Sequence, residues 1–147
     1  MYKSLAALLV LGLFFFVMTA YGFNKSDLDD AKTKKAAVTN LLIGLNSDNY
    51  GLRTSSAFML GEIKAEEAVI PLMKMLRSEK HEDARIVAAL ALYKINNPRG
   101  VFAVKQAIRF DNSERVRKMC SNYYNELLRV RYGIDGNSEY TDEVAYR

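Results

Sequence analysis

Residues 53–77 read RTSSAFMLGEIKAEEAVIPLMKMLR, and residues 85–109 read RIVAALALYKINNPRGVFAVKQAIR. Laid one under the other at an offset of 32, they keep the same residue types in the same places. Ala57 falls on Ala89, Leu60 on Leu92, Ile63 on Ile95, Val69 on Val101, Leu72 on Val104, and Leu76 on Ile108. Arg53 falls on Arg85, Arg77 on Arg109, and a third start at Arg117 places Ser121, Tyr124 and Leu127 at corresponding points. Upstream, Val38, Leu41 and Leu45 align at offset 31 with Val69, Leu72 and Leu76. A fixed period of this length decides the architecture before any local propensity does.

Within each unit the apolar positions recur at spacings of three and four, the signature of one buried helical stripe. Turn-forming residues divide the unit: Asn46 to Asn49, Lys64-Ala65, Asn96-Asn97-Pro98, and Asp111-Asn112-Ser113. The spacing predicts helices near 27–45, 50–63, 66–77, 83–95, 99–110 and 114–131. Asp111 with Glu114 reads as an N-cap and its reciprocal carboxylate. Pro71, inside the second helix of the first unit, removes a hydrogen bond and predicts a kink near its start. A lone helix pair cannot bury its own stripe, so the units must stack on one another. The expected fold is all-α: a short curved α-solenoid of stacked antiparallel helix pairs.

Outside the repeat, Leu5 to Met18 runs without a charge behind Met1-Tyr2-Lys3, and Ala20 and Gly22 stand where a signal peptidase reads small residues. This predicts export with cleavage before Phe23. Retention as an N-terminal membrane anchor is the alternative, because Leu5 to Phe23 approaches the length of a membrane-spanning helix. The expected organisation is a leader at 1–22, a repeat domain at 23–132 and a Gly- and acid-rich flexible tail at 133–147. Localisation follows as periplasmic or secreted. Without residues 1–22 the chain has 20 basic and 17 acidic residues, net +3. That excess is too small for a dedicated nucleic-acid binder. Cys120 is the only cysteine, which excludes an internal disulfide and leaves the fold to its core.

Arg53, Ala57, Leu60-Gly61 and Ala68-Val69 with Leu72 resemble the short HEAT-like repeats named after phycobilisome lyases. The second unit keeps Arg85, Ala89, Leu92, Val101 and Val104 but has Tyr93 in place of the glycine, and the third keeps Arg117. The resemblance implies a solenoid that presents a surface to another macromolecule. The bilin chemistry of some members does not carry over, since nothing beyond the repeat matches those enzymes.

No residue set assembles into a catalytic or metal site. His81, in the connector Ser78 to Asp83, has no second His or Cys to share an ion with, and reads as solvated. Cys120 has no base within a motif and reads as a half-buried helix residue. Glu66-Glu67 and Asp29-Asp30 stand at helix starts, where the macrodipole favours negative charge. Arg53, Arg85 and Arg117 form a column whose structural reading is bonding to carbonyls or carboxylates of the adjoining unit. Leu60 and Leu92 are expected in the core. The second helices, which line the concave face of such solenoids, carry Lys74, Arg77, Lys105 and Arg109, a candidate basic stripe for a partner. The reading is a non-catalytic protein-binding scaffold or adaptor of the cell envelope, without cofactor. Its alternatives are a self-associating structural subunit or, less favoured, an enzyme related to bilin lyases.

Overall fold

The computed structural model describes residues 25–133. The apolar leader, its cleavage point and the tail from 134 onward lie outside the described residues. The chain divides into two compact units, residues 1–37 and residues 38–147. Helix α1 (Lys25–Leu45) runs across the boundary, and its residues 30–37 are exposed to solvent. The second unit continues with α2 (Tyr50–Glu62), α3 (Val69–Ser78), α4 (Glu82–Ile95), α5 (Pro98–Phe110) and α6 (Glu114–Tyr132). Among the described residues there is no strand, and the helix boundaries fall within two residues of those the 32-residue period predicts, except the start of α3, which lies at 69 rather than 66.

The helix starts are fixed by side chains that satisfy the orphan donors of the first turn. Asn49 accepts from the Leu52 N–H at 3.0 Å, and Asn97 accepts from the Arg99 N–H at 2.9 Å with Pro98 opening the helix behind it. At α6 the cap is Ser113, accepting from the Val116 N–H at 3.3 Å. The expected Asp111 cap is therefore displaced by two residues. Asp111 instead ends α5, and its carboxylate takes the Ser113 N–H at 2.8 Å while serving a distant arginine. Pro71 does not bend a continuous helix. A 3-10 turn at Glu66–Ala68 precedes α3, so Pro71 falls in the first turn of α3, where its missing N–H has no intrahelical partner to lose.

Helices α2, α4 and α6 pack side by side as one row, and α3 and α5 form a second row against them. The core between the rows is built from the repeating stripe, with Leu60, Leu72, Leu92, Val104 and Val116 wholly buried. Small residues set the spacing. A methyl placed on Gly61 would come within 2.6 Å of the Ala91 Cα, so α2 and α4 approach at backbone distance. One unit later Tyr93 occupies the place of Gly61 and stacks on Tyr123 of α6, rings 5.7 Å apart and 21° from parallel. Gly61→Ala separates two opposed effects. Helix propensity favours Ala by about 1 kcal/mol, whereas overpacking a backbone contact costs about 1–3 kcal/mol. Since the obstacle is backbone, overpacking wins, and the urea midpoint is expected to fall.

Candidate functional site

The arginine column lies where the units join. Arg53 donates through Nη1 to the carbonyls of Ser47 and Asp48, both at 2.9 Å, and through Nε to Glu79 at 3.1 Å. Arg85 repeats the arrangement one unit on. Its Nη1 donates to the carbonyls of Glu79 (2.9 Å) and Lys80 (3.2 Å), and its fork grips Asp111 at 2.9 and 3.0 Å. Arg117 donates through Nη1 to the Asp111 carbonyl at 2.8 Å. Each arginine thus closes the loop before its own helix, and the first two also bind a carboxylate 26 residues further along the chain. Arg85 is only 6% exposed, so this pair is a buried one.

Burial by itself raises the Glu79 pKa. The Arg53 hydrogen bond, the His81 and Lys80 backbone N–H groups and the Arg53 charge outweigh it, and the carboxyl titrates below the usual carboxylate range. A lowered folded value means that this rung contributes stability above the unfolded pKa and loses it as pH falls through the folded one.

A different face carries a groove. Between α3 and α5 lies a hollow of about 500 Å³ whose lining includes Ile70, Met73, Lys74, Arg77, Phe102 and Phe110. Ile70, Phe102 and Phe110 are 58%, 60% and 71% exposed, a cluster of large apolar side chains left in water. Ile70 and Phe102 occupy the same place in successive units. Helices α3 and α5 contain Lys74, Arg77, Arg99, Lys105 and Arg109 and no acidic residue, and the carboxylate in the groove lining, Asp111 just after α5, is held by Arg85. Of the four residues of the basic stripe, two line this groove. Lys74 and Arg77 line the groove, whereas Lys105 stands over the Tyr124 ring at 5.8 Å and Arg109 over Phe110 at 5.5 Å. Lys105 holds on α5 the place of Met73 on α3, the side turned toward the following unit. The apolar part of the groove escaped the sequence reading, although an apolar pair one period apart on a second helix, outside the stripe, was its available signal.

His81 is exposed and meets Tyr50 edge to face, ring centres 4.8 Å apart. No cluster of three His, Cys, Asp or Glu residues able to hold a metal occurs among the described residues. Cys120 is fully buried, not half-buried as the sequence suggested. Burial, then the Asp111 charge, push its thiol up to about 12. The thiolate is the reactive form. Cys120 is expected to resist a disulfide thiol reagent at pH 8 in the native protein and to react fully once unfolded in guanidinium, as absorbance of the released thiol would record.

Two rows of helices, repeating at 32 residues and joined by arginine rungs, define an all-α solenoid. The chain belongs to the HEAT-repeat family, whose model matches residues 34–121. No curated protein matches the chain. HEAT repeats point to a protein-interaction scaffold, the general function of such stacked surfaces. No described helix is long and apolar enough to cross a membrane.

Proposed function

We propose that the protein is an exported, non-catalytic adaptor of the cell envelope that binds another protein through the α3–α5 groove. The observation that carries this reading is the combination of exposed Ile70, Phe102 and Phe110 with five cations and no carboxylate on the two helices. Such a surface suits a partner segment that is apolar on one side and acidic on the other. Central apolar anchors supply most of the affinity in interfaces of this kind, and rim charges mainly steer the encounter. The export half of the proposal rests on the apolar run from Leu5 to Met18 and its Ala20-Tyr21-Gly22 exit.

The test pairs Phe102→Ala with the joint replacement of Lys74, Arg77, Lys105 and Arg109 by Gln. Each variant is assayed for melting temperature, for capture of proteins from an envelope extract, and for binding to anionic vesicles. The proposal expects protein capture to fall in both variants while Phe102→Ala melts like the parent. Unchanged capture with a lower melting point makes the stripe structural and ends the proposal, and loss of vesicle binding alone assigns the face to lipid. Intact mass of the protein from its native host tests export separately: a chain beginning at Phe23 supports processing, and one retaining Met1 leaves the anchor.

Self-association is a second reading with its own observation. Ile43 (68% exposed) and Leu52 (50%) line a hollow at the α1–α2 end of the second unit. A sedimentation coefficient that rises with concentration and falls back in Leu52→Ser would favour it.

A further inference from the structure

The stack is unfinished at both ends, and in complementary ways. By the repeat register α1, from Val38 on, is a second helix: Val38, Leu41 and Leu45 stand where α3 has Val69, Leu72 and Leu76. It packs closely on α2, where a methyl on Gly44 would collide with Ser56. Among the described residues no first helix precedes it. Helix α6 is a first helix, and among the described residues no second helix follows it. One end therefore has half a unit to spare, and the other lacks that half.

The arginine column ends on the same mismatch. Arg53 binds Glu79 and Arg85 binds Asp111, each a carboxylate in the connector after the second helix of the arginine's own unit. Arg117 makes the loop-closing bond to the Asp111 carbonyl at 2.8 Å, but among the described residues no carboxylate meets its fork. At the other end, Arg53 holds the connector after α1 through the carbonyls of Ser47 and Asp48. From Leu45 to the cap Asn49 this connector is one residue shorter than from Leu76 to His81. Ser47 Oγ takes the Asn49 N–H at 3.1 Å, as Asp111 takes that of Ser113, and the carboxylate falls on the next residue, Asp48. Asp48 is exposed, and among the described residues no cation meets its carboxylate.

We propose that the chain associates head to tail with copies of itself: α1 of one copy takes the place of the missing second helix beside α6 of another, and Asp48 enters the Arg117 fork. This assembly rests on the self-association reading of the α1–α2 end and supplies the surface that end would meet. Burial supports it from both sides. Ala84 and Val116 are wholly buried where units join, but Leu52, at the same place on α2, is 50% exposed. Leu41 is half-buried, whereas its equivalents Leu72 and Val104 are wholly buried. At the other end Tyr124 is half-buried, whereas Leu60 and Leu92 are wholly buried, and Ile108 is more open than Leu76. Asn125 holds the place of Gly61 and Tyr93, opposite Met59 of the incoming copy. The junction is therefore more polar than those within the chain and opens reversibly. Because the two faces differ, the contact is heterologous and repeats from copy to copy until a ring closes or a filament grows.

The test follows the sedimentation coefficient of the full chain against concentration for the parent, Asp48→Arg, Arg117→Glu, and an equimolar mixture of the two variants. The proposal expects the parent to associate, and each variant alone to associate about tenfold more weakly or worse, since each sets like charges together at the junction. It expects the mixture to recover the parent's association, because every junction between unlike copies again pairs opposite charges. Recovery also shows that both variants are folded. Should Arg117→Glu melt below the parent, Arg117→Gln, which can still donate to the Asp111 carbonyl, serves as the single variant, and its association is expected to weaken as well. Variants that associate like the parent, or folded variants whose mixture recovers nothing, leave self-association standing and overturn the head-to-tail contact. Loss in Asp48→Arg with the Arg117 variants unaffected also overturns it, and assigns the α1–α2 end to a like end of a second copy. A parent that stays monomeric across the range ends both readings.

Discussion

Arg85→Ala is expected to cost about 3–5 kcal/mol, the largest loss from any single change in this chain, because it strips a buried carboxylate of its counter-charge. Asp111 would keep the Ser113 N–H but lose both bonds to the guanidinium, and the carbonyls of Glu79 and Lys80 would lose their donor. Arg85→Lys is expected to recover less than half of the loss. An ammonium is a point charge and cannot hold two carbonyls and both carboxylate oxygens from one place, as the planar fork does. Arg53→Ala, whose pair is more exposed, should cost less. Urea unfolding of the three variants followed by circular dichroism checks the order. Equal, small losses at Arg85 and Arg53 would mean that the rungs do not hold the units together.

The second large effect is at the repeated leucine. Leu60→Ala and Leu92→Ala are each expected to destabilise by about 2–4 kcal/mol, through lost burial and the cavity left behind. Leu92 should stand at the upper end. It is fully buried on α4, which touches α2, α3, α5 and α6, and its side chain also meets Gly100 at the start of α5. With neighbours on every side the cavity has little room to collapse. Ile70→Ala is the control: at 58% exposure it should shift stability by no more than about 0.5 kcal/mol. Denaturant midpoints that barely move for the leucines would contradict the repeat register itself.

The fold was legible because it depends on periodic quantities. Leu60, Leu92 and their companions repeat at 32, and the helix limits follow from the stripe and the turn residues between its segments. What failed to read correctly depends on contacts far apart in sequence. Asp111 resembles a cap because it precedes a helix, yet its charge is committed to an arginine 26 residues earlier, leaving Ser113 to cap α6. Pro71 looks like an interior breaker only if the second helix starts at 66; the 3-10 turn moves that start and makes the proline harmless. The basic stripe was drawn from residue type. The side of α5 on which Lys105 lies is set by which neighbour that side faces, and charge alone does not report it. The leader and tail lie outside the described residues, so export remains a proposal from composition.

The contrast between Gly61 against Ala91 and Tyr93 against Tyr123 bears on whether the units can be treated as interchangeable modules. A protein engineer lengthening the array would naturally duplicate residues 82–113. The copied Ala91 would then face the original Tyr93, a ring opposite a methyl, where the parent has only backbone against methyl or ring against ring. Such a junction would splay the two helices or trap a void, and a void costs stability in proportion to its volume. A workable insertion would have to be edited at one residue, either the original Tyr93 changed to Gly or the copied Ala91 changed to Tyr. The sequence period therefore tells where to cut, and these two residues tell which ends can be joined.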